Sequence, residues 1–260
     1  MVKDIPLIQK NDRIRTIFIT IGAILLFIVS VSFLNLDMAT FMSRFEQSGE
    51  VIKHFLVIDA SDLGTVFSEL LLSLSMAVAS LVLGAIISFI LACLGADNIS
   101  PLPFLSAVIK GIMSVIRAIP SLVWILMIVA SLGFGSLAGI IGMMFPTVGY
   151  LTKSFISSIE EVPAQVIETM KSTGANWFQL IQEGILPNVS KSFLNWLAIR
   201  VEGNVAESIS LGMVGAGGIG TLLTRAISSY DYGRITFIVL VIFSTMFAVE
   251  MFVTRAKKAI

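Results

Sequence analysis

Cysteine and histidine occur once each in the 260 residues, as Cys93 and His54. One cysteine excludes an intrachain disulfide, and Cys93, set inside an apolar run, reads as packing. His54 has no cysteine to join it in a thiol–imidazole set, so it reads as a surface residue and no metal site is expected. Charge is scarce as well: Asp, Glu, Lys and Arg make up 13%, against about 25% in soluble domains. The two signs balance at a formal net charge of zero, which gives no positive field for a nucleic-acid partner. At 56% hydrophobic and a mean hydropathy of +0.96, the chain has too few polar residues to cover a water-facing surface.

What it does have is long uncharged runs, over 16–34, 70–96 and 118–152. A helix crossing a bilayer needs roughly 20 apolar residues, so the chain reads as an all-α polytopic membrane protein. The first run is longer than the apolar core of a signal peptide, and no small-x-small site closes it. It is expected to stay as a first helix. Turn signals at "ADNISPLP" (Ala96–Pro103) and "GFGS" (Gly133–Ser136) divide the rest. Six helices result, at about 16–34, 68–94, 106–132, 138–158, 193–213 and 235–254. Lys3, Lys10, Arg13 and Arg15 precede the first helix, and Arg255, Lys257 and Lys258 follow the last. Lys110, Arg117, Lys153, Lys171 and Lys191 fall on the same side, which makes that side and both termini cytoplasmic. The acidic stretch 35–63 then falls outside. The chain divides into 1–63, holding the first helix and external loop, and 64–260, a core of five helices with a cytoplasmic stretch at 159–191.

"GMVGAGGIG" (Gly212–Gly220) contains Gly215-x-Gly217-x-x-Gly220, the spacing of a dinucleotide-binding fingerprint. That motif needs a strand before it, a helix after it, and an acidic residue about 20 positions on. Here it joins two membrane helices, and Asp231 lies only 11 residues past Gly220. No nucleotide is expected there. Gly215, Gly217, Gly218 and Gly220 instead allow tight backbone turns and become candidates for an external gate.

The cytoplasmic stretch "VPAQVIETMKSTGANWFQLIQEGILPN" (Val162–Asn188) has an order of its own. Pro163 suits a helix start, Gly174 a helix stop, and Asn176 the cap of a second short helix. Leu186 and Pro187 are expected to end that second helix. The product is a helix–glycine–helix elbow presenting Trp177, Phe178, Leu180 and Ile181 to the cytosol, where apolar groups need a partner surface.

Glu168, Gly174, Leu186 and Pro187 resemble the EAA signature of ABC-importer permeases, with Thr169 and Met170 in place of the two alanines. "RAIPSLVW" (Arg117–Trp124) and "GMVGAGGIG" are similar to segments of phosphonate-transporter permeases of the PhnE type. The resemblance implies a type I importer permease of the MetI-like kind, lying in the bacterial plasma membrane. Its partners would be a second permease subunit, identical or homologous, two cytosolic ATPases and an external solute-binding protein. The elbow, with Glu168, Gly174, Ala175, Trp177, Phe178, Leu180, Leu186 and Pro187, would couple to the ATPases. ATP and Mg would be held there, since this chain has no G-x-x-x-x-G-K-[ST] loop, no expected cofactor and no catalytic residue. An importer permease for a different small solute, and an ion-coupled secondary transporter, are the competing readings.

Helix 5, "FLNWLAIRVEGNVAESISLGMV", carries Arg200, Glu202 and Glu207. Charges at that depth do not face lipid. Arg200, Gly203, Asn204, Glu207 and Leu211 share one face, with Glu202 nearly opposite. Either this face lines the path, or Arg200 forms a structural pair with Glu207 or Glu202. Arg117, Pro120, Arg200, Asn204, Glu207 and Ser208 are the path candidates, with Arg117 either neutralising an oxyanion or anchoring helix 3. The phosphonate-permease pattern carries N-[IV]-R before the glycines, whereas this chain has Asn204-Val205-Ala206 and then Glu207.

Overall fold

The computed structural model describes residues 10–34 and 37–259; the orienting Lys3 lies outside them. Among the described residues every regular element is helical. Two compact units divide at His54 and Phe55. The first holds α1 (Lys10–Phe33) and most of α2 (Met38–Phe55). Helix α1 is exposed round its whole apolar circumference, from Ile14 to Phe33. The polar stretch 35–63 was expected to be a loop, yet most of it is α2. Asp37 starts that helix by accepting hydrogen bonds from the backbone N–H groups of Ala39 and Thr40, the usual role of an N-terminal cap. His54 lies exposed on α2.

The second unit is built on α3 (Leu63–Gly95). Ser73, Ala77, Ser80, Gly84, Ser88, Ala92 and Gly95 recur along its buried face, and small residues at such spacing let helix backbones approach closely. Against them lies α6 (Ser136–Glu160), running in the same direction. Gly139 sits beside Met76, Gly84 beside Thr147, and Glu160 accepts from the Asp97 backbone N–H. Between these two in sequence the chain returns through α4 (Pro103–Ala118) and α5 (Ser121–Leu132). The sequence reading made these one helix, but they meet at a 90° bend. Pro120 is the reason: it has no N–H to give the Ile116 carbonyl, and the Trp124 indole donates to that carbonyl instead, at 3.1 Å. Trp124 in turn stacks flat on Phe145, 4.8 Å between centroids.

Helix α9 (Leu186–Met213) runs back antiparallel to α3 and α6. A short α10 (Ile219–Ser228), absent from the sequence reading, precedes α11 (Tyr232–Ala259). Ile14–Phe33, Leu63–Gly95 and Tyr232–Lys258 are long and apolar enough to cross a membrane, and the bent pair α4–α5 adds a fourth. Helices α6 and α9 are long enough, at 25 and 28 residues, but their polar residues keep them out of that set. Cys93 is buried in the core between α3 and α6.

Close approach also governs α5 and α6. A Cβ on Gly142 would lie 2.9 Å from Ile125 Cα, which is backbone and cannot swing away. Overpacking of this kind costs about 1–3 kcal/mol, so Gly142→Ala is expected to lower the melting temperature in detergent by several degrees. An unchanged melting curve would place the two helices farther apart than this.

Candidate functional site

The elbow is assembled by local turn chemistry. Beyond α6, Pro163 precedes α7 (Ala164–Ser172), and its carbonyl accepts from the Val166 N–H at 3.0 Å. Gly174 ends the turn at φ +79, a left-handed conformation that favours glycine. There the N–H groups of Gly174 and Ala175 return to the Lys171 and Met170 carbonyls, both at 3.1 Å. Asn176 and Gln179 then form a reciprocal capping box: Asn176 Oδ1 accepts from the Gln179 N–H, and Gln179 Oε1 from the Asn176 N–H. The α8 turn (Trp177–Gln179) passes through a π-helical turn, Leu180–Ile185, straight into α9. Leu186 and Pro187 therefore open a helix rather than end one. Proline in a first turn is tolerated because the N–H it lacks is not required there.

The expected display of apolar side chains is corrected in part. Leu180 is 3% exposed within the core. The Trp177 indole N–H is held by the Ile99 carbonyl at 2.9 Å, so that ring lies back on the body of the protein. Trp177 and Leu180 lie one turn apart and share the inward face. Phe178 points the other way and is 75% exposed, touching Trp177 edge-on. Glu168, Gly174, Leu186 and Pro187 are exposed too.

Deep in the bundle, α3, α6 and α9 are tied by one polar network. Asn204, fully buried, accepts from Thr147 Oγ1 at 3.0 Å and donates to Ser80 Oγ at 3.0 Å and the Ala77 carbonyl at 3.3 Å. Arg200 donates from Nε to Thr147 Oγ1 at 3.2 Å and from a terminal nitrogen to Glu207 at 2.8 Å. Its guanidinium also lies 5.9 Å from the centre of the Tyr150 ring. The Arg200–Glu207 pair is thus formed, and Glu202 takes no part in it. Ser208 is buried and donates to the Val205 carbonyl of its own helix. Arg117, at the end of α4, is exposed and sits over the Tyr150 ring at 6.0 Å from its centre.

At the opposite end the four glycines come together where α3, α9 and α10 meet. A Cβ on Gly220 would run into the Ile209 carbonyl, and one on Gly212 would lie 2.7 Å from Gly220 Cα. The N–H of Gly218 donates to Glu69 at 2.8 Å, and that of Ile219 to Ser73 Oγ at 3.0 Å. The N-terminus of α10, which favours an anion, is thus filled by a carboxylate of the same chain. A cavity of about 370 Å³ lies alongside, lined by Glu69, Phe134, Gly215, Gly217 and Arg225 among others.

Residues 84–260 match the family model described as the binding-protein-dependent transport system inner membrane component. The chain belongs to this family. Among similar proteins, this inner membrane component is 34% identical over 200 residues to the phosphate-import permease protein PhnE of Mycolicibacterium smegmatis, covering 77% of this chain and 37% of that one. It is 31% identical to the phosphite transport system permease protein PtxC of Stutzerimonas stutzeri, over 69% of this chain and 66% of the relative. The match therefore spans less than two thirds of either relative. In fold it resembles a chain of the MetNI methionine ABC transporter in an inward-facing structure, with a TM-score of 0.68 at 18% identity, over 77% of this chain and 99% of that one. The family's membrane setting agrees with the apolar helices.

Reading the sequence of this inner membrane component did not single out Thr147, Tyr150, Ser80, Glu69 or Ser73. Two signals were available. Ser73, Ser80 and Ser88 of α3 fall on one face at helical spacing, and Thr147 and Tyr150 interrupt an otherwise apolar run.

Proposed function

We propose that the chain is the permease subunit of an ATP-driven importer for a phosphorus oxyanion, a phosphonate, phosphite or phosphate. It crosses the membrane six times with both termini in the cytoplasm, pairs with a second permease subunit, and receives solute from an external binding protein. Two cytosolic ATPases hold the ATP and Mg and dock on the elbow. The observation that carries this reading is Phe178, a large aromatic 75% exposed at the tip of the turn, while Leu180 is buried and Trp177 is tied back to Ile99. The elbow runs without a break through the π-helical turn into α9. Movement of a docked ATPase would therefore act directly on the helix that carries Arg200, Asn204 and Glu207. The names of the phosphate- and phosphite-importing relatives support the solute class.

The test is uptake by proteoliposomes holding this chain with an ATPase and a binding protein from its gene neighbourhood. Labelled phosphite, methylphosphonate and phosphate are compared with methionine and glycine betaine. ATP-dependent uptake of at least one phosphorus oxyanion is expected, with none of the other two. Uptake driven by an ion gradient without ATP would overturn the importer reading, and ATP-driven uptake of methionine or betaine alone would overturn the solute.

A further inference from the structure

Helix α4 has two accessible faces. Phe104, Val108, Ile112 and Val115 form an apolar one. Lys110, Ser114 and Arg117, at positions i, i+4 and i+7, form a polar one about 150° round the helix. A charged face set opposite an apolar one belongs towards water or the bundle interior, not lipid.

The cations on this face and on the neighbouring α6 and α9 are not equivalent. Lys110 is neutralised, with Asp97 at 2.6 Å and Glu160 at 2.7 Å. Arg200 is paired with Glu207. Arg117 has no carboxylate partner among the described residues, and the ring of Tyr150 is what lies beside it. Lys153, one turn from Tyr150 on α6, also has none and donates to Ser114 Oγ at 2.9 Å. Two uncompensated cations from two helices therefore meet around Tyr150 and Ser114. Gly149 permits the approach: a Cβ there would lie 3.3 Å from Arg117 Cγ and 2.8 Å from Ile116 Cγ2. Lys153 stands seven residues before Glu160, roughly 10 Å along α6 from the elbow end.

We propose that Arg117, Lys153, Tyr150 and Ser114 form a binding site for a phosphate-like tetrahedral oxyanion in the elbow-side half of the solute path. The site rests on the importer reading above and names where its substrate is held. Arg117 offers a planar fork that can engage two oxygens at once, and Lys153 adds a mobile point charge. The Ser114 oxygen holds Lys153 beside the cluster at 2.9 Å, while its own proton goes back to the Lys110 carbonyl at 2.7 Å. A phosphate group can come from the solute or from a lipid headgroup. The polar face lies away from the apolar face of α4, so the free solute is the occupant.

The test uses the full chain with its co-purifying subunits in nanodiscs of phosphatidylcholine. Ser114→Cys in a Cys93→Ser background puts a thiol in the cluster, and its modification by a small neutral thiosulfonate reports occupancy. Millimolar phosphite or inorganic phosphate is expected to slow modification, and chloride is not. Arg117→Gln or Lys153→Gln should weaken that protection about tenfold, as loss of a hydrogen bond to a charged group implies. Arg117→Lys should keep part of it, which separates lost charge from a damaged fold. Absence of protection by either anion overturns the site, whatever uptake shows. Slowing that needs phosphatidylglycerol in the nanodisc and ignores free anion also overturns it, in favour of lipid. Failure of wild-type uptake, with protection intact, would fall on the importer reading alone.

Discussion

Phe178→Asp is expected to abolish co-purification with the ATPases and coupled hydrolysis while leaving the permease folded and inserted. Phe178 is 75% exposed and makes one edge contact, with Trp177. A carboxylate there stays in water, so the isolated chain loses almost nothing. In a docked cleft the same carboxylate would be buried without a partner, at a cost of several kcal/mol. Trp177→Asp makes the contrast. It removes the indole donor to Ile99 and a half-buried ring, so both fold and docking should suffer. Gly174→Pro is a third case, since proline holds φ near −65° where the turn needs +79. Detergent melting curves and pull-down with the ATPase separate the three. If Phe178→Asp keeps its ATPase at wild-type level, the elbow is not the docking element.

The elbow was legible because its rules are local. Pro163, Gly174 and Asn176 each act within four residues, and all three took the positions their chemistry favours. The glycine break before α6 was read for the same reason. Which side of the elbow meets the protein was not local. Ile99 lies 78 residues before Trp177, and nothing near the elbow announces it. The bend at Pro120 was within reach, because a proline inside an apolar run removes one ladder bond. Its size was not, because the 90° turn depends on Trp124 and Phe145 supporting it. Likewise the charged face of α9 was visible, and so was Arg200–Glu207 as one of two pairings. The remaining partners, Thr147 and Ser80, come from helices 57 and 124 residues away from Asn204.

That network sets the other large effect. Arg200→Gln should destabilise the permease more than any other single change on α9. It leaves Glu207, partly buried with its side chain 22% exposed, without a counter-charge. Removing one partner of a buried pair costs about 3–5 kcal/mol. Glu207→Gln should be milder, because Arg200 keeps Thr147 Oγ1 and the Tyr150 ring, and glutamine can still accept its hydrogen bond. The double change Arg200→Gln with Glu207→Gln removes both charges and should recover much of the stability lost by Arg200→Gln alone. Asn204→Leu is the uncharged counterpart. It removes Asn204's bonds to the buried Ser80 and Thr147, which keep the Ala77 and Met143 carbonyls as acceptors, so the cost is about 0.5–1.5 kcal/mol for each bond lost. Thermal unfolding in one detergent, with uptake measured in parallel, reads all four. Recovery of stability in the double variant with normal uptake would make the pair a structural charge compensation within α9. Recovery of stability with uptake still lost would give Glu207 a place in the path. An Arg200→Gln protein as stable as wild type would mean that the pair bears none of the load on α9.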